Sequence, residues 1–363
     1  MSAIHHLRHA ALLLVFLLSA CSTPYRPPLV PPAVFPGLID LAAQAEGHEA
    51  DVLLVHGICT HDAGWADIVV PQLTRALDAA LPAPSRSNAG AAIEIVQSTV
   101  TTPAGRLRFD ALIWSPLTTD LKRQLCYDQS DKSLLCSGAP PYPHLRARLN
   151  ARFKDGLIDD CLPDALIYQG VARDAIQQRM REAILKVLEG ARAEAPLVVI
   201  AHSLGSKILF DTLLRMSEEP AASPASALAQ QGIERMRLLV MAANQIPLLS
   251  LADQPLPAAS TAAEPPPDSL QLLLRKRQAD PRRRPTRPLT LVAFTDPNDL
   301  LSYTLDERKY AQDGVTVYNI VVSNAPTWLG LLERPDSAHL DYLSNPDVGR
   351  LIACGQPTST LCK

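Results

Sequence analysis

Pro196 to Ala201 (PLVVIA) is a short apolar run that passes directly through His202-Ser203-Leu204-Gly205 into a helical pattern, Ser206 to Met216. A run of this length is too short for a core helix. Without polar alternation it reads as a strand buried on both faces. A strand joined to a helix through so tight a turn forces the helix back across the strand at close range. Residues two places either side of Ser203 must therefore be small, and Ala201 and Gly205 are. A strand buried on both faces needs parallel neighbours, and the rest of the chain offers them. Asp51 to Val55, Ala92 to Val100, Leu107 to Trp114, Met236 to Ala242, Leu289 to Phe294 and Thr316 to Ser323 read as strands. Ile68 to Leu81, Asp174 to Ala193 and Pro346 to Cys354 read as helices between or after them. This alternation predicts an α/β fold, a mainly parallel sheet with helices on both faces. With 363 residues and 47% hydrophobic side chains, the chain can fill such a core.

The N-terminus reads differently. Arg8 and three nearby histidines precede Ala10 to Ala20, an unbroken apolar or small run. Eleven residues are too few to span a bilayer, which needs roughly 20, and suit the core of a signal peptide. Leu18-Ser19-Ala20-Cys21 resembles the bacterial lipobox, in which the cysteine is acylated and becomes the new N-terminus. The expected organisation is a leader over 1–20, a Pro-rich tether over 21–36 and one domain over 37–363. The resemblance implies a lipid anchor in the cell envelope, with Ser22 after the cysteine implying the periplasmic side of an outer membrane in a Gram-negative source. Six cysteines remain, an even number that fits export and disulfides. Cys126–Cys136 and Cys354–Cys362 would close short loops, which leaves Cys59–Cys161 by elimination among 15 formal pairings. The segment near 115–161 is polar, turns helical around Leu145 to Phe153 and could lie over a site as a lid. Two stretches fit no regular element: Glu218 to Ala229, which is Ala/Ser/Pro-rich, and 252–287, which is Pro-rich and then basic (RKRQADPRRRPTR) and reads as a solvated insertion.

The chemistry centres on Ala201-His202-Ser203-Leu204-Gly205. Strand before and helix after is the context of a nucleophile elbow. The motif resembles the α/β-hydrolase superfamily, in its lipase and esterase-like members, with Ala201 where glycine is commoner. The resemblance covers about Asp51 to Cys354 by order of motifs and implies a triad in the order Ser, acid, His. Ser203 would be the nucleophile, needing a base to take its proton. His339, the one histidine after the last strand, would be that base. Two carboxylates follow the penultimate strand in Asp296-Pro297-Asn298-Asp299. Asp299 is favoured because apolar Leu300 and Leu301 follow it, and Asp296 stays as the alternative acid. Leu204 N–H and Ile58 N–H are the expected oxyanion donors, the latter from the loop His56-Gly57-Ile58, where Gly57 permits close approach. His56 is expected to brace that loop, and Gly205 to admit the helix. Trp65, Trp114 and Trp328 are candidates for an acyl pocket.

These features imply a serine hydrolase acting on a carboxylic ester or lipid, without metal or other cofactor, and bound to a membrane through Cys21. His61 and Asp62 alone make no metal site, and no cysteine spacing suits zinc. A net charge of −3 argues against nucleic acid as a partner. Two other readings stay open: an envelope acyltransferase, and a catalytically silent lipid-binding or scaffold lipoprotein.

Overall fold

The computed structural model describes residues 22–23, 27–80, 84–89, 93–129, 135–139, 145–256, 266–279, 288–311, 314–328 and 332–363. The leader, Cys21 and the basic run 280–287 lie outside them.

Eight strands form one sheet: β1 (Glu49–Val55), β2 (Ser85–Ala89), β3 (Ile93–Thr102), β4 (Gly105–Ile113), β5 (Leu197–His202), β6 (Met236–Ala242), β7 (Leu289–Thr295) and β8 (Val315–Val321). Their spatial order is β2-β3-β4-β1-β5-β6-β7-β8. From β4 to β8 every neighbouring pair is parallel, and β3 pairs antiparallel with both β4 and β2. This is the expected α/β fold.

Period-two alternation sends each strand's side chains to two separate cores. In β1, Leu53 and Val55 face one, while Val52 and Leu54 face the other. On the second side lie α1 (Leu38–Gln44), α2 (Gly64–Thr74) and, at the chain's end, Pro346–Cys354, through Leu38, Val69 and Ile352. Pro116–Arg123 forms α3. Arg148–Arg152 (α4), a π-helical segment Phe153–Cys161 and Leu162–Gln169 (α5) then follow one another without a break. The first core is covered by α6 (Arg173–Glu189), α7 (Leu204–Glu218), α8 (Pro224–Arg235) and α9 (Ser269–Ala279), through Met180, Ile208, Ala229 and Leu273. Pro335–Leu340 is α10, which makes the closing helix α11 (Pro346–Cys354).

Several elements differ from the sequence reading. The stretch 218–229, which fits no regular element by sequence, contains the start of α8. Pro224 sits at the first turn, where a missing N–H costs nothing, and the alanines that follow favour helix. The 252–287 stretch likewise contains α9, whose Leu270, Leu273 and Leu274 are buried. Ser85–Ala89 pairs through its backbone at the sheet edge, which apolar patterning cannot reveal. Residues 27–36, placed in a tether, lie against the body: Ala33 and Phe35 are buried and Leu29 bridges Val321. Cys59–Cys161, Cys126–Cys136 and Cys354–Cys362 are disulfides, as paired above.

Candidate active site

Strand order reverses about β1, because β4, reached through β2 and β3, lies on one side of it and β5 on the other. Such a switch point opens a crevice outside the carboxyl ends of the strands. The loop after β1 (His56 to His61) and the turn after β5 (Ser203) meet there.

Ser203 sits between β5 and α7 at φ 52°, ψ −129°, a conformation rare for a residue with a side chain. Its N–H donates to Ala242 O at 2.8 Å, tying the turn to β6. The crossing is as close as the sequence requires. A Cβ on Gly205 would lie 2.2 Å from His56 O, so no side chain fits. A Cβ on Gly57 would lie 2.6 Å from Ser203 Cβ, so the loop after β1 lies directly against the serine.

Three side chains from separate strand ends converge. Ser203 Oγ is 3.0 Å from His339 Nε2. His339 Nδ1 is 2.9 and 3.0 Å from Asp299 Oδ1 and Oδ2. All three are buried. Asp299 also accepts from Leu301 N–H and Tyr342 O–H, each at 3.0 Å. Burial would raise this carboxyl, but the bond and charge of His339 and those two donors hold it below the ordinary range. An ionised carboxylate at Nδ1 fixes the proton there, which leaves the Nε2 lone pair toward the serine hydroxyl.

The second carboxylate has another task. Asp296 accepts from Asn298 N–H at 2.9 Å and Asn324 N–H at 2.6 Å, fastening the turn after β7 to the segment that leads to His339. Glu333 joins this knot by accepting from Asn298 Nδ2 and Ala325 N–H. Burial, then the charge of Asp296, pushes Glu333 up to about 7.

His56 braces its loop. Its Nδ1 donates to Gly57 O at 3.0 Å and its Nε2 accepts from Trp114 N–H at 2.9 Å. Burial, then His61, lowers its pKa well below 6.5, so the ring is neutral. Trp114, expected to line an acyl pocket, is fully buried, stacks on His56 and donates Nε1–H to His56 O. Trp65 meets His56 edge-on, and the side chain of Trp328 lies outside the described residues. Ile58 and Leu204 are both buried beside the serine turn. Leu204 opens α7, where helix geometry leaves its N–H without a carbonyl partner. His61 is engaged with Ile58 O and Asp62 with Gly64 N–H. Among the described residues no group of three or more His, Cys, Asp or Glu could hold a metal ion.

No protein-family model matches the chain, and a search among curated proteins finds no relative.

Two participants escape sequence reading. His202 lies beside Ser203, and its Nε2–H donates to the backbone carbonyl of His339 at 2.9 Å. Burial, then His339, lowers its pKa to about 3, so it stays a neutral donor and holds the α10 backbone in place. Tyr342 accepts from the backbone N–H of Asp296 at 2.7 Å while donating to the Asp299 carboxylate, tying that carboxylate to the turn after β7. Their partners lie 137 and 43 residues away, and neither residue has a local signature beyond its type.

Proposed function

We propose that this protein is a serine hydrolase that cleaves a carboxylic ester through an acyl-enzyme on Ser203. The observation that carries the reading is the unbroken line from Ser203 Oγ through the His339 imidazole to Asp299. His339 would take the hydroxyl proton as Oγ attacks the ester carbonyl, then deliver it to the leaving alcohol. Water activated by the same nitrogen would release the acid. Asp299 would hold the ring and stabilise the imidazolium. Leu204 N–H and Ile58 N–H would receive the developing oxyanion, Ile58 because Gly57 brings its loop against the serine. The order of the three residues along β5, β7 and β8 supports an α/β-hydrolase relationship. Cys21 is read as the acylated residue of an envelope lipoprotein.

Ser203 and His339 are almost wholly shielded from water. That favours a second reading, acyl transfer to an alcohol acceptor, since a dry site slows competing hydrolysis. A fluorophosphonate probe should label the protein, and Ser203→Ala should abolish labelling. No labelling of the folded wild type would defeat both readings. Product analysis with an alcohol present then separates acid release from ester exchange.

A further inference from the structure

The continuous helical rod from α4 through the π-helical segment to α5 turns an apolar ridge outward. Its buried face holds Asp155, Asp159 and Asp164 beside Ala151, Cys161 and Tyr168, whereas Leu149, Phe153, Ile158, Leu162 and Leu166 are exposed. The exposed residues are spaced four, five, four and four apart. The interval of five crosses the π-helical segment, whose extra residue per turn keeps the ridge aligned. A helix facing water puts carboxylates outward and leucines inward. Here Lys122 binds Asp160 and Asp164 beneath the rod, and Lys154 binds Asp159. The rod is also bound to the candidate site. Cys161 is bridged to Cys59 and Thr60 donates to Asp160, both in the loop beside Ser203, and Arg152 pairs with Asp336 on α10.

The course of the N-terminal segment supplies a direction. Leu29 pairs with Val321, Thr23 with Thr327 and Ser22 with Trp328, three pairs in one antiparallel register. Val321 ends β8 at the carboxyl edge of the sheet. Ser22 pairs with Trp328, seven residues beyond Val321 in the chain. Cys21 therefore adjoins in sequence a strand pair that follows the carboxyl end of β8, the sheet edge that also holds Ser203.

We propose that the ridge from Leu149 to Leu166 is a docking face for a lipid bilayer, the one that would hold an acyl group on Cys21. The apolar ridge would enter the acyl boundary, and exposed Arg148 beside it suits anionic headgroups. The inference rests on the lipid-anchor reading of Cys21 and not on the chemistry of Ser203. If that chemistry also holds, the ester groups within reach belong to lipids of the same leaflet.

The test uses acylated full-length protein in phosphatidylethanolamine–phosphatidylglycerol vesicles, with an environment-sensitive label at Leu166→Cys, at Leu149→Cys or, as reference, at exposed Glu194→Cys on the opposite edge. The rod labels should shift to shorter wavelength and be quenched by nitroxide lipids, while the Glu194 label stays in water. Rod labels that remain in water on vesicle-bound protein would overturn the inference, as would failure to associate with vesicles. A shift that appears without vesicles and grows with protein concentration would assign the ridge to a second copy and overturn it too. Turnover of a water-soluble ester is read in the same samples. Its absence with quenched rod labels leaves docking standing and counts against Ser203. Its presence with rod labels in water does the reverse.

Discussion

Replacing each of the two competing carboxylates by its amide separates the relay from its scaffold. Asp299 uses both oxygens: Oδ1 serves His339 Nδ1 and Leu301 N–H, and Oδ2 faces Nδ1 and Tyr342 O–H. Asparagine offers one carbonyl oxygen and an NH2 group, so one of these positions must present N–H to a donor. If it faces Nδ1, the imidazole proton moves to Nε2, the atom 3.0 Å from Ser203 Oγ, and the base is lost. In a triad of this geometry the wrong tautomer lowers kcat on the order of 10⁴-fold. That is roughly 5 kcal/mol of transition-state stabilisation. Asp299→Asn should therefore lose three to four decades of ester turnover while keeping its fold by circular dichroism. Asp296→Asn has a different outcome. Its oxygens receive Asn298 and Asn324 N–H groups and touch neither Ser203 nor His339, so the cost falls on the turn, about 1–3 kcal/mol of stability. Turnover by that variant should stay within about tenfold of wild type when measured below its melting temperature. The reasoning is refuted if folded Asp296→Asn falls as far as Asp299→Asn, or if Asp299→Asn stays within about tenfold of wild type.

Three further outcomes follow from the same geometry. His202→Gln keeps an N–H donor for His339 O and should retain activity within about tenfold, but its response to acid should change. The native ring resists protonation down to about pH 3 whereas the unfolded one titrates near 6.5, so its contribution to stability falls by about 1.4 kcal/mol per pH unit between those values. Melting curves of His202→Gln should thus lose less stability than wild type between pH 6.5 and 5, and equal losses would refute the buried neutral donor. Gly205→Ala places a methyl 2.2 Å from His56 O, so α7 must move from the loop after β1. A loss of about 1–3 kcal/mol in denaturant melts, with turnover falling more than tenfold, is expected. Removing the Cys59–Cys161 bridge, whose ends are 102 residues apart, should cost up to about 4–5 kcal/mol, more than removing Cys126–Cys136, whose ends are 10 apart. Denaturant melts of Cys→Ser pairs compare the two directly.

The parts legible in the sequence share one property: local order along the chain sufficed to express them. A strand buried on both faces must be a continuous apolar run, so PLVVIA, MRLLVMA and LTLVAF stand out without partners being known. The serine turn is readable because its tight crossing restricts Ala201 and Gly205. Asp299 and His339 are readable because each follows a recognisable strand. Features that depend on partners distant in sequence were less accessible. Ser85–Ala89 joins the sheet through backbone groups that every residue carries. The helix Ser269–Ala279 does show Leu270, Leu273 and Leu274 at helical spacing, but the flanking prolines and arginines dominate its window.

The same distinction bears on the site. Ser203, His339 and Asp299 are reactive types in telling places, yet their geometry is held by His202 and Tyr342, whose decisive bonds run to a backbone carbonyl and to a carboxylate on another loop. A neutral imidazole fixing the backbone of the proposed base, and a phenol joining the Asp299 carboxylate to the backbone of Asp296, are consequences of packing at the crevice. The outward apolar ridge of the rod is of a third kind. Leu149, Phe153, Ile158, Leu162 and Leu166 are visible as letters, but a strict 3.6-residue period does not follow their interval of five, and a helical pattern alone would turn them inward. The pairing of Asp160 and Asp164 with Lys122 on α3 helps to hold these carboxylates inward and leaves the apolar ridge outward. Lys122 and Asp164, the fully buried pair among them, contribute little net stability against an apolar replacement. Their physical consequence is instead to fix which face of the rod meets its surroundings, and that face is the one a bilayer would select.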